Sequence, residues 1–416
     1  MIDGRRRAGV LAACLLVANA TIARAQDEAT WFSLRSSLKS SGLFSRMPDD
    51  PLLFPDRGAA EGFWRFRLEP TVNVNDDVNV ETAVEQRVRA FSSESARLSG
   101  VLPAEADAPF RIRQLDWQLA SAVHAEWRIE IDRAALHAKT GAVNLTVGRQ
   151  AIGWGRGVLF GAVDLFSPFT PLEADREWRR GVDAVRADVK LGDRTSIDAV
   201  SAFGVDFDHS AFAARLRGYA GKADVEVVGG RRARDMFAGA TTSAAVGDAE
   251  VHAEFAAFRT PAEAGSIAFG VERTIAKAVL GGSYRLSVGN GILVYVEYHY
   301  SGFGATSAAG ILPLLADPVF QERYLRGDTQ ILGRHAVAAL ASYEFSPEWT
   351  FGLEWLQSPR DASGVLVPSA TLTFGDQLSL LVNGYVPFGR TPVGPVLGSD
   401  YGAAPLAAFV QLRFYR

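Results

Sequence analysis

The residue types best suited to covalent chemistry are few and scattered. His124, His137, His209, His252, His299 and His335 stand far apart, with no pair at the spacing that lets one helix face grip zinc. There is no Gly-x-Ser-x-Gly elbow and no phosphate-binding Gly-x-x-x-x-Gly-Lys loop, and Gly153-Trp154-Gly155-Arg156-Gly157 lacks the strand-and-helix setting of a dinucleotide site. Asn73-Val74-Asn75-Asp76-Asp77 could approach calcium but falls short of a full ligand set and reads as an acidic turn. No metal and no cofactor is expected. A Ser/His/Asp site assembled across strands, as in a lipid hydrolase, is the competing enzymatic reading.

What is concentrated is charge. Between Gly153 and Asp183 the chain carries Arg156, Asp164, Glu173, Asp175, Arg176, Glu177, Arg179, Arg180 and Asp183, among glycines, Trp and Phe. That segment is too long for a hairpin turn and too rich in aromatics and opposite charges for a loose loop. Two roles stay open for it. It could fold into a pore and set a transverse field that sorts solutes, or it could be a latch whose charges satisfy one another.

Such a segment needs a frame, and the rest of the chain supplies period-two alternation. Val123, Ala125, Trp127, Ile129 and Ile131 fall on one face, with His124, Glu126, Arg128, Glu130 and Asp132 on the other. Val185, Ala187 and Val189 alternate in the same way with Arg186, Asp188 and Lys190. Turn signals such as Lys139-Thr140-Gly141 and Gly375-Asp376-Gln377 recur at roughly 12-residue intervals, the rhythm of an up-and-down meander. About 16 strands are expected, within a range of roughly 14 to 18, because residues 230 to 290 and 301 to 334 are hard to parse.

Past residue 25 no uncharged run is long enough to span a membrane as a helix, and a net charge of -4 offers no general attraction for nucleic acid. A sheet of this size must dispose of its edges, which closure into a barrel does. The charged faces are too numerous for the packed interior of a soluble barrel. The expectation is therefore an all-β, antiparallel transmembrane barrel, apolar toward lipid, with His124, Glu126, Arg128, Glu130, Asp132, Arg186 and Asp188 lining a hydrated lumen. An exported sandwich or propeller, or a barrel that conducts nothing, are the structural alternatives.

The ends of the chain fit export. Arg5, Arg6 and Arg7 precede an apolar stretch from Ala8 to Ala20 and a small-x-small site at Ala23-Arg24-Ala25, so residues 1–25 read as a cleaved secretory signal. Its removal takes away Cys14, the single cysteine, and leaves a net charge of -7. Residues 26–62 are expected as a lead-in or plug and 63–416 as the barrel. The last strand alternates through Leu406, Ala408, Val410, Leu412 and Phe414, the kind of ending that outer-membrane assembly machinery recognises, although Tyr415 and Arg416 follow the aromatic. Outer-membrane lipid and that machinery are the expected partners, and the oligomeric state stays open.

Gly148-Arg149-Gln150, then Trp154-Gly155, then Asp164-Leu165-Phe166-Ser167-Pro168-Phe169, then Gly181-Val182-Asp183-Ala184 form one constellation over residues 147–190. It resembles the signature of a group of uncharacterised porin-like outer-membrane β-barrels. The resemblance implies a Gram-negative outer-membrane location and a passive channel. Barrels that export polysaccharide are similar in size and strand content, which by analogy adds a polymer as cargo and periplasmic export components as partners.

Overall fold

Why the alternating segments close on themselves is visible in the pairing. The computed structural model describes residues 31–93, 101–102, 107–261 and 273–416, and the expected signal segment lies outside the described residues. Among the described residues nineteen strands follow one another. They are β1 (Phe32–Arg46), β2 (Gly58–Asn75), β3 (Val78–Phe91), β4 (Asp116–Ala122), β5 (Ala125–Thr140), β6 (Val143–Gln150), β7 (Val182–Lys190), β8 (Ser196–Ala202), β9 (Ala211–Ala220) and β10 (Ala223–Arg232). Then come β11 (Asp235–Val246), β12 (Ala249–Arg259), β13 (Thr274–Leu286), β14 (Ile292–Ser301), β15 (His335–Glu344), β16 (Trp349–Gln357), β17 (Gly364–Phe374), β18 (Leu378–Phe388) and β19 (Leu406–Tyr415).

Eighteen of these form a closed antiparallel barrel, β1 pairing with β2 on one side and β19 on the other, so the wall has no free edge. The extra strand is β4. It pairs along residues 125–130 of β5, the stretch that β6 leaves open because β6 pairs only with residues 134–140.

The two faces of the wall are inverted relative to a soluble protein. Lys39, Arg65, Arg67, Glu85, Asp198, Glu254, Glu297 and Gln411 are buried, whereas Leu38, Trp64, Leu216, Leu353 and Leu412 are exposed on the outside. On β5 a bulge opposite Ala83 and Val84 lets the strand carry Asp132 and Arg133 side by side toward the interior, where strict alternation would have sent one of them to the apolar outer face.

Connections at one end are short, such as residues 76–77, 141–142 and 221–222, and the start of β1 and the end of β19 lie there, with Ser36 N–H donating to Arg416 O at 2.7 Å. Connections at the other end include residues 151–181, 302–334 and 389–405. The second of these carries α1 (Ile311–Leu315) and α2 (Pro318–Leu325), the latter opened by Asp317, whose carboxylate accepts from Val319 N–H at 3.1 Å.

Two expectations change. Residues 26–62 are not a lead-in or plug across their described part, because residues 32–46 are a full wall strand and β2 starts at Gly58. Serines occupy both faces of β1, at 36, 37, 40, 41 and 45, which hides its alternation. The ring has eighteen strands, the upper end of the expected 14 to 18, and β1 accounts for one beyond the expected residues 63–416. His124 does not line the lumen: it sits in the turn between β4 and β5, exposed, with Phe91 edge-on at 6.1 Å. The acidic stretch 73–77 is the β2–β3 turn, where Asn75 Oδ1 accepts from Asp77 N–H at 3.0 Å.

The two faces make opposite demands on the same strand. Leu353→Arg, exposed at the middle of β16, is expected to destabilise the folded barrel by about 2–4 kcal/mol in urea titrations in lipid vesicles, and a change below half a kilocalorie would contradict the lipid-facing assignment.

Candidate functional site

The β6–β7 connection, residues 151–181, turns inward and travels around the interior of the barrel. Its course is set by acidic side chains projecting from every second strand: Asp198 on β8, Glu226 on β10, Glu254 on β12, Glu297 on β14 and Glu354 on β16. Trp154 Nε1 donates to Asp198 at 3.0 Å, and Arg156 reaches Glu226 at 3.0 Å and Asp224 at 2.7 Å. Glu254 then accepts backbone N–H groups from Arg156, from Gly157 at 2.8 Å, from Ala162 at 2.7 Å and from Val163 at 3.2 Å. Glu297 accepts from Val158, and from Leu159 and Phe160 at 3.0 Å each. A loop inside a barrel has no ladder to satisfy its amides, and these two carboxylates supply what a ladder would.

The return half is held by the opposite wall. Arg176 pairs with Glu354 at 3.2 Å, Asp175 and Glu177 each meet Lys39 of β1 at 2.7 Å, and Tyr415 of β19 donates to Glu177 at 2.6 Å. Trp178 lies under the Lys39 ammonium, 3.6 Å from ring centre to nitrogen. Gly181 N–H closes the circuit on Asp132 of β5 at 2.9 Å, and Gly181 O accepts from Arg111 at 2.7 Å. Apolar side chains of the loop fill what remains: Ile152, Trp154, Val163, Leu165 and Phe166 pack against Val182, Val200, Val228, Phe237 and Phe258.

The sequence constellation has a mechanical explanation. Gly148 has φ +118°, and a Cβ there would lie 2.2 Å from Ala134 O. Arg149 spreads its guanidinium over Asp183 at 2.7 Å, Gln114 O at 2.7 Å and Ile131 O at 2.8 Å, while Gln150 donates to Ala184 O at 3.1 Å. Arg149 thus pins the point where the loop leaves β6 to the point where it rejoins β7. Gly155, at φ +107°, leaves room for the Glu254 carboxylate, which a Cβ would approach to 2.8 Å. Phe166 meets Trp154 edge-on at 5.2 Å, Pro168 packs over Gly327, and Phe169 lies beneath Arg179 at 5.0 Å and accepts at its carbonyl from Gln330 at 2.7 Å.

The remaining charged candidates are mostly paired. Asp164 holds Arg179 at 2.6 Å, and Arg180 approaches Glu130 at 4.0 Å. Glu126 faces Arg89 across the β3–β5 ladder, Arg128 meets Asp116 at 3.1 Å, Glu130 meets Arg87, and Asp132 meets Arg67 at 2.8 Å and Arg111 at 3.1 Å. Arg186 joins Asp198 at 2.9 Å, and Asp188 joins Arg217 at 2.7 Å. In the loop, burial pushes the Asp164 carboxyl above its ordinary value against the pull of Arg179. Burial also opposes ionisation of Asp175, but Lys39 and Arg65 prevail and hold it low. For Glu173 burial prevails over the Thr170 N–H, Arg176 and Arg65 and pushes the carboxyl up to about 7.

Sequence reading did not single out Glu254, Glu297, Asp198, Lys39 or Trp178. Glu254 was visible only as one acid within the Val251 to Ala257 alternation. Two cavities remain around the loop. An outer one of about 570 Å³ lies between Arg65, Arg87, Trp178, Leu312, Tyr324 and Tyr401, and an inner one of about 240 Å³ lies between Arg176, Glu354, Ser369, Asn383 and Tyr385.

No protein-family model matches this chain, and no curated protein matches its sequence. Among solved structures it is similar to OccAB4 of Acinetobacter baumannii, with 10% identity and a TM-score of 0.56 over 94% of this chain and 99% of that one. It is similar to OccK9 (OpdG) of Pseudomonas aeruginosa, with 11% identity and a TM-score of 0.56 over 92% and 98%. A third is the outer membrane protein opdK of Pseudomonas aeruginosa, with 9% identity and a TM-score of 0.51 over 92% and 98%. At such identities the likeness is one of fold.

The two amide-binding carboxylates carry the loop. Glu254→Ala, which strands four backbone donors, is expected to lower the unfolding free energy by about 2–5 kcal/mol and to expose residues 156–163 to amide hydrogen exchange, whereas unchanged protection would mean that packing alone holds the segment.

Proposed function

We propose that this chain is an outer-membrane channel of porin type, passing small polar solutes through the barrel beside the in-folded loop. The observation that carries this reading is the inverted wall. Charged and polar side chains from β1 to β19 point inward around two cavities, while the outward face is apolar from strand to strand. A barrel built only as a scaffold has no use for so many ionised groups in its interior. The fold likeness to an outer membrane protein supports the location, as does the arrangement of short turns at one end and long connections at the other.

Cavity size favours solutes over a polymer. At about 570 and about 240 Å³ the openings beside the loop fit a single small molecule, and a polysaccharide would have to displace a loop bound all around the wall. The histidines favour transport over hydrolysis. His252 is held between Glu297 at 3.2 Å and Glu250 at 3.1 Å, His299 stacks on Phe160 at 4.9 Å, and His335 meets the Tyr298 hydroxyl at 2.7 Å. Among the described residues no histidine is hydrogen-bonded to a serine, which gives no serine a positioned base.

Reconstituted into liposomes, the protein is expected to admit monosaccharides faster than trisaccharides in swelling assays and to give discrete ionic steps in planar bilayers. Absence of both, from protein that keeps its β-sheet circular dichroism, would overturn a channel that stands open at rest.

A further inference from the structure

The two cavities share one partition. Pro171, Leu172 and Glu173 line both the outer cavity and the inner one, so the short segment that carries them separates the mouth of the barrel from the polar lumen along β15 to β18. Leu172 packs against two apolar clusters at once. One contains Val365, Val367, Leu381 and Tyr385, and the other contains Leu159, Val279 and Leu356. The side chain therefore closes the seam between two parts of the wall.

This partition is held differently from the rest of the loop. Residues 154–163 are bonded to Asp198, Glu254 and Glu297, and residues 175–181 to Lys39, Tyr415 and Asp132. Residues 170–173 instead close on themselves, Glu173 N–H donating to Thr170 O at 3.2 Å and the Glu173 carboxylate accepting from Thr170 N–H at 3.4 Å. Among the described residues, their backbone makes no hydrogen bond to a barrel strand. Arg176, which donates to Pro171 O and pairs with Glu354, is the tether.

Resting on the channel reading, we infer that Leu172 is the gate of the permeation route along β15 to β18 and that Glu173, at the same partition, makes passage selective for cations. The inner cavity is lined by three charged side chains, and Glu354 and Arg176 neutralise each other, which leaves Glu173 to set the sign. Asp175 and Arg176 act on Glu173 from its own segment, Arg65 from β2 and Tyr385 from β18, while Glu354 of β16 shares the inner cavity with it and Asp400 of the β18–β19 connection the outer one. Burial raises the Glu173 carboxyl to about 7, so below that pH it sits neutral in the closed partition, and above it the charge appears and burdens the closed seat. Cation preference and open probability should both rise with pH.

The test is reversal potential in a salt gradient across planar bilayers, at about pH 5 and about pH 9, for wild type, Glu173→Gln and Leu172→Ala. The wild type is expected to prefer potassium to chloride at least about threefold more strongly at the higher pH, Glu173→Gln to lose that difference, and Leu172→Ala to raise conductance at both pH values. Retention of the full pH-dependent preference by Glu173→Gln, or unchanged conductance in a folded Leu172→Ala, overturns the inference while leaving the channel intact. A silent wild type with a conducting Leu172→Ala supports the gate, and silence in all three removes channel and gate together.

Discussion

A chain that crosses the inside of a barrel must find acceptors for its amides away from any sheet. Here the need is met by carboxylates fixed on the wall. Glu254 and Glu297 between them receive seven N–H groups from residues 156–163. Charge-assisted bonds of this kind are stronger than amide pairs, and each carboxylate is itself desolvated, so neither partner is comfortable without the other. Everything else in the interior follows from that mutual dependence. The loop keeps its course, the apolar side chains of 152–166 find their seats, and two limited cavities are left where a wide duct would otherwise run.

The same logic explains why so ionic a lumen is so quiet electrostatically. Lys39, Arg65, Arg67, Arg87 and Arg111 on one side face Glu85, Glu130, Asp132 and Asp175 at bonding distance, and Asp198 and Glu226 on the other side hold Arg186, Arg215 and Arg156. Compensated pairs hold shape and contribute little net field. In the partition Glu173 has no such salt-bridge partner among the described residues, and unlike Glu254, whose carboxylate is taken up by loop amides, it lines both cavities.

The alternation around Val123–Asp132 and Val185–Lys190 sufficed to predict an inverted closed barrel, because a two-residue period with charges on one face has few other solutions. β1 was illegible for a physical reason: serine is tolerated toward lipid and toward water alike, so its period carries no contrast. The bulge at Asp132 was equally hidden, since a one-residue slip is a property of the pair and cannot be read from one strand. The loop announced itself by its charges, but its acceptors did not. Glu254 and Glu297 look like ordinary interior acids until the fold brings residues 91 to 139 positions away beneath them.

Glu177 touches both Lys39 on the first strand and Tyr415 on the last. Among the described residues these two strands are the ring neighbours farthest apart in the sequence, and their pairing is the seam that closes the cylinder. Glu177 can hold both partners only where that seam is sealed, so this end of the loop is docked on the closed ring and on neither strand alone.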